Sequence, residues 1–181
     1  FIVLAVALIV FFGLQLSRIF SPAYQNATPE NSIAVLPFTD LSQAGDQEYF
    51  SDGLTEDIIT QLAKIKSFKV TSRTSIMKYK NNKKSLKEIG AELGAAIILE
   101  GSVQKSGDKV RITAQLINAR NDEHLWAEPY DRTLDDIFTI QTDIATKIAS
   151  ALKANLSAEE EQGISKKYTL NTEAYQLYLQ G

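Results

Sequence analysis

The chain has 181 residues, 44% of them hydrophobic, with 19 Lys+Arg against 22 Asp+Glu and a formal net charge of −3. That charge balance argues against a nucleic-acid-binding domain. The absence of Cys excludes zinc ribbons, thiol nucleophiles and disulfide scaffolds, and a single His makes a His-based metal site unexpected.

The averages hide an asymmetry. Sixteen of the first twenty residues are hydrophobic, and the first charge is Arg18. Twenty helical residues reach ~30 Å, the thickness of a bilayer core, so residues 1–20 are expected to form a transmembrane helix. A cleaved signal peptide is the competing reading, since Ser21-Pro22-Ala23 loosely fits a cleavage site, but the apolar run exceeds the roughly 7–15 residues of a signal core. Residues 21–31 are polar, contain two prolines and read as a linker.

Residues 32–38 (SIAVLPF) suit a buried strand ended by Pro37, and 39–46 read as a loop. Phe50, Leu54, Ile58, Leu62 and Ile65 then recur at helical spacing over 47–65, which places Asp52, Glu56 and Asp57 toward solvent. Residues 68–72 alternate as a second strand, and the polar, basic stretch 73–84 reads as a solvated loop. Ser85 and Glu88 form a capping box for a helix over 85–93 that Gly94 terminates.

Residues 96–104 form a third strand, followed by a turn at Ser106-Gly107-Asp108. In the fourth strand Val110, Ile112, Ala114 and Leu116 alternate with polar residues, giving one buried and one wet face. A turn at Asn121-Asp122 leads to a short fifth strand over 124–129. Ile137, Ile140, Ile144, Ile148, Leu152 and Leu156 mark a long amphipathic helix over 134–156. The order βαβαβββα predicts an α/β fold with a single mixed sheet and helices packed on it: strands separated by helices pair in parallel, and the closing hairpins pair antiparallel. An acidic joint (SAEEEQ) falls within a linker over 157–170, and 171–181 start another amphipathic helix whose core is expected beyond Gly181. The chain therefore reads as a piece of a longer protein.

The ordered motifs SIAVLPF, DQEYFSDGLTEDIITQLAKI, VTSRTSIMKYK, IGAELGAAIILEGSVQKSGDKVRITAQLINA, HLWAEPYDRTLDDIF and NTEAYQLYLQG resemble the TolB amino-terminal-like domain of bacterial membrane signalling proteins. The likeness covers about residues 32–156, with a tetratricopeptide-repeat start at 171–181; FlgO-type envelope proteins are more distantly similar. The resemblance implies a periplasmic domain behind one inner-membrane helix, with repeats after it. It also implies a cytoplasmic output domain before it, such as an adenylate or guanylate cyclase, a winged-helix regulator or a kinase. It supplies no catalytic residues, and no cofactor or metal is expected.

Three functional readings follow. The first is a non-catalytic sensory or interaction module that couples periplasmic protein binding to a cytoplasmic output. Its partners would be the membrane, periplasmic proteins and a second copy in a homodimer, with no nucleic acid bound by this segment. The second is a structural envelope protein of the TolB or FlgO type. The third is a small-ligand binder at Ser72, Arg73, Thr74 and Ser75, which follow a strand where α/β sheets tend to place ligands; a guanidinium among hydroxyls could grip a carboxylate or phosphate. No Gly-rich phosphate loop accompanies them, and pairing of Arg73 with a loop carboxylate is the simpler expectation. For the carboxylates of 52–57 and 135–136, the solvent-facing and helix-N-terminal roles outweigh acid–base chemistry. His124 beside Trp126 is read as structural rather than as a pH sensor.

Overall fold

The computed structural model describes residues 28–42 and 47–166 together with 174, 175, 177 and 178. The expected membrane helix over 1–20 and most of the linker after it lie outside these residues. Among the described residues no helix is long and apolar enough to cross a membrane.

Among the described residues six strands form one mixed sheet: β1 (Ser32–Val35), β2 (Thr39–Asp40), β3 (Lys69–Val70), β4 (Ile97–Ser106), β5 (Lys109–Asn118) and β6 (Glu123–Thr133). The sheet runs in the order β3-β1-β4-β5-β6, with β2 also paired to β4. The strands joined through helices, β1 with β3 and with β4, pair in parallel. The two closing hairpins pair antiparallel. The α/β fold with a single mixed sheet is the one the sequence order predicts.

One face of the sheet carries the main core. Ile33, Val35, Leu99, Val103, Ile112 and Leu116 meet Phe50, Leu54, Ile58 and Leu62 of α1 (Glu48–Ala63), all buried. The late helix α4 (Ile137–Ala151) joins the same layer through Ile137, Ile140, Ile144 and Ile148. A smaller core on the opposite face holds Ala34, Leu36 and Ile98 against Ile76, Tyr79 and Ile89. Its cover is thin: a single helical turn, α2 (Arg73–Ile76), a 3₁₀ turn at Met77–Tyr79, and α3 (Leu86–Leu93). The Ser85–Glu88 capping box of α3 is present, and Gly94 closes it at φ 61°, a left-handed angle that glycine adopts at little cost.

The structure departs from the sequence reading in five places. Thr39–Asp40 is a strand and not a loop, because Pro37 interrupts the β1 ladder without ending it and the chain rejoins β4 at Ser102 and Val103. The stretch 73–84 is not all solvated loop: Ile76 and Tyr79 point inward as core residues. Strand β6 runs through Pro129 to Thr133, which an edge strand permits since its outer backbone has no ladder partner. The helix predicted over 134–156 stops at Ala151, and Lys153 beyond it takes φ 52°; the chain turns back and Leu156 still packs against the core. The acidic joint is then itself a helix, α5 (Ala158–Ser165), with a second capping box from Ser157 to Glu160.

Candidate functional site

Two features stand out from the bare scaffold: a polar joint on the outside of the main helical layer, and an uncovered polar stretch of the opposite sheet face.

The joint begins with α5, which straps α1 to α4. The Lys64 ammonium donates to the Gly163 carbonyl at 2.7 Å, and the Lys66 amide donates to the Glu160 carboxylate at 2.8 Å. Thr142 of α4 donates to the Ile164 carbonyl at 3.3 Å, and the Ile164 side chain is buried. Ala174, Tyr175, Leu177 and Tyr178 are helical, and Tyr175 is only 5% exposed. Its ring meets Phe138 edge-on at 4.9 Å. Its hydroxyl donates to the Asp57 carboxylate, and the Gln141 amide, also buried, donates to Asp57 at 2.8 Å and to the Tyr175 oxygen at 3.2 Å.

This arrangement corrects two expectations. Asp57 does not face solvent: it is the acceptor at the centre of the joint, while Glu56 beside it stays exposed. The expectation that the helix begun at 171–181 has no partner here is corrected for Tyr175, which packs on this domain, while Leu177 and Tyr178 stay exposed. Burial pushes the Asp57 carboxyl above its ordinary range, against the pull of the Tyr175 and Gln141 hydrogen bonds. The neighbouring carboxylate raises the Tyr175 hydroxyl further, after burial. Periodicity could not reveal this, because Asp57 sits one position from the core residue Ile58 and its partner is 118 residues away in sequence.

Ser72, Arg73, Thr74 and Ser75 lie together and exposed, Ser72 as the cap of the single turn α2. The Arg73 guanidinium stands 3.5 Å from Glu56, a helical carboxylate rather than the loop carboxylate expected. Ser72 and Ser75 share a hydroxyl contact at 3.1 Å. Several lysines of the basic run are paired: Lys80 with Asp52 at 2.8 Å and Glu48 at 2.7 Å, and Lys84 with Glu92 at 2.5 Å. Asp52, too, therefore has a partner instead of open solvent. Asp136 stands just before α4 without a side-chain capping bond to it, and accepts from the Thr133 hydroxyl at 3.1 Å. His124 is exposed on β6, and no cluster of three or more metal-ligating side chains occurs among the described residues.

On the opposite sheet face, α2 and α3 leave β4 and β5 partly open. The strand register aligns Thr39, Ser102 and Thr113 in one row, and Glu100 with Gln115 in the next. Asn81 and Asn82 wall this floor, and a groove of about 290 Å³ lies above it. Gly101 lets the strand lie against its neighbours here: a Cβ would stand 2.3 Å from the Thr113 carbonyl and 2.4 Å from the Phe38 ring.

Residues 29–149 match the model of the HilA/YgeH-like transcriptional regulator, second domain. The chain belongs to this family. A curated relative, "Putative adenylate cyclase 3" of Rhizobium meliloti (strain 1021), is 43% identical over 146 residues. That match takes in 81% of this chain but only a quarter of the relative's length. Among solved structures, TolB from Acinetobacter baumannii superposes with a TM-score of 0.53 at 18% identity, over 70% of this chain and 29% of that one. The fold of this HilA/YgeH-like domain is thus TolB-like. Lipoprotein GNA1162 from Neisseria meningitidis gives a TM-score of 0.49 at 16% identity, over 66% of this chain and 98% of that one.

Proposed function

We propose that this domain is a non-catalytic interaction module of a bacterial membrane signalling protein, holding the segment after it in a fixed pose and passing partner binding on to a separate output domain. The observation that carries the reading is the joint at Tyr175. A buried aromatic with a hydrogen-bonded hydroxyl fixes both the position and the rotation of the helix that bears it, so movement of that helix works directly on α1 and α4. The family and the relative support the division of labour. The same module stands as the second domain of a transcriptional regulator and within a protein named for adenylate cyclase activity, so a shared non-catalytic part beside different outputs is the economical account.

In this reading residues 1–20 anchor the chain in the inner membrane and the α/β domain lies on the periplasmic side, where proteins meet it and the repeats that follow. Two experiments test it. Carbonate washing of membranes should leave the expressed chain in the pellet; release into the wash would end the anchor. A reporter active only in the periplasm, fused after Gly181, should be active, and a silent but intact fusion would reverse the orientation. For the coupling itself, Tyr175→Ala in the full-length protein should alter the response of the output to its signal while leaving basal output unchanged. An unaltered response would remove the joint from the mechanism.

A further inference from the structure

The floor of the groove over β4 and β5 is unusual in being polar, half-buried and unused. Glu100, Ser102, Thr113 and Gln115 are each partly shielded, yet none makes a side-chain hydrogen bond or ion pair among the described residues, and Glu100 feels only the through-space charges of His124 and Asp122. Rim residues behave differently. Tyr79 donates to Glu92 at 2.7 Å, and Asn82 accepts from the Lys84 amide at 2.7 Å. Buried polar groups are paired within the protein in the great majority of cases, whereas half-shielded ones without such a partner are left to water or to a ligand. Here the pleat spaces the floor side chains along and across two strands, so that they point the same way into the groove.

We propose that this groove is a carbohydrate subsite that takes one sugar ring through its hydroxyl groups. The chemistry on the floor selects that class. Gln115, Asn81 and the Ser102 and Thr113 hydroxyls each offer both a donor and an acceptor, the pairing a sugar hydroxyl needs, and the Glu100 carboxylate can accept from two adjacent hydroxyls at once. An anion would meet Glu100 head-on. A flat aromatic ligand would lack a stacking partner, because the Tyr79 ring is buried and flanked by Lys78 at 4.9 Å. A volume of about 290 Å³ is at the small end for ligand pockets of roughly 300–1,000 Å³, the scale of one ring rather than a nucleotide. Burial also holds the Glu100 carboxyl above its ordinary range, with the charge of His124 opposing, as expected of an acceptor that lacks a fixed counter-ion. A second hollow, between Lys87, Arg120 and His124, adjoins the groove at Glu100 and gives room for a ring linked to the first.

The test is saturation-transfer NMR on the full chain in detergent micelles, with glucose, N-acetylglucosamine and its short oligomers, and spermidine as probes. The expected result is transfer to at least one neutral sugar at millimolar concentration, reduced about tenfold or more by Gln115→Ala and by Glu100→Gln. Thr113→Val, which keeps the strand and removes a hydroxyl, should weaken it as well, and Arg111→Ala, which lies outside the groove and pairs with Asp131, should not. A monosaccharide bound as tightly as its oligomers would identify a free sugar as the ligand; tighter oligomers would identify a glycan chain. No transfer to any sugar, transfer that survives all three floor substitutions in folded protein, or binding of spermidine alone would overturn the proposal.

Discussion

Replacing Tyr175 with Phe isolates one bond of the joint. The ring and its edge contact with Phe138 remain, while Asp57 loses the Tyr175 hydroxyl and keeps only the Gln141 amide. A hydrogen bond to a charged group contributes about 1.5–3 kcal/mol. Water can reach the partly exposed Asp57 once the hydroxyl is gone, so the lower end applies, about 1.5 kcal/mol. At 1.4 kcal/mol per factor of ten, the segment carrying Tyr175 should open about tenfold more often. Hydrogen-exchange mass spectrometry of the peptide containing Tyr175 reads this directly. Trp126, the only Trp, reports global unfolding in urea, which should move far less because the segment can release while the sheet stays folded.

The pH dependence has a definite sign. The docked Asp57 carboxyl is raised above 3.8, so the docked form holds its proton more tightly than the released form. Docking is therefore strongest below the ordinary carboxylate range and weakens as pH rises through the raised value. After correction for intrinsic exchange, opening should increase over that window in the native chain. It should be flat in Asp57→Asn, whose amide oxygen still accepts from Tyr175. Exchange in Tyr175→Phe within twofold of the native chain would refute the argument, as would an Asp57→Asn variant that opens as freely as Tyr175→Ala.

Four further outcomes are expected. Gly101→Ala should cost about 3 kcal/mol in urea unfolding, because the new methyl meets the Thr113 carbonyl, held by the β4–β5 ladder, and the buried Phe38 ring; a change under about 0.5 kcal/mol would mean that the strand shifts freely. Tyr130→Phe should be neutral or stabilising by up to about 1 kcal/mol, since the Tyr130 hydroxyl is buried with no hydrogen-bond partner among the described residues; a loss would reveal a bonded hydroxyl. Leu99→Ala, at a fully buried site of the sheet in the main core, should lose about 2–5 kcal/mol by the same urea assay. Arg73→Ala should change stability by less than about 0.5 kcal/mol, since its contact with Glu56 is exposed and long, and calorimetry of the variant against phosphate and carboxylates checks the third sequence reading, a ligand site at Ser72–Ser75.

Much of the architecture follows from local patterns. Alternation along β5, the helical stripes of α1 and α4, the Ser85–Glu88 box and the turn at Gly107 each depend on residues a few positions apart, and all four appear in the structure. The parallel and antiparallel pairings follow as well, because a helix between strands returns the chain to the same end of the sheet and a tight turn does not. The candidate sites do not follow from such patterns. Asp57 looks like any outward carboxylate until Tyr175 arrives, and Glu100 becomes the neighbour of Gln115 only through a register set over ten paired residues. The inward turn of Ile76 and Tyr79 likewise needs the bare face of β1 and β4 to receive them. Periodicity records which side of an element is apolar. Which polar side chains meet, and which are left open to a ligand, is decided by contacts between distant segments, and only the folded chain brings those segments together.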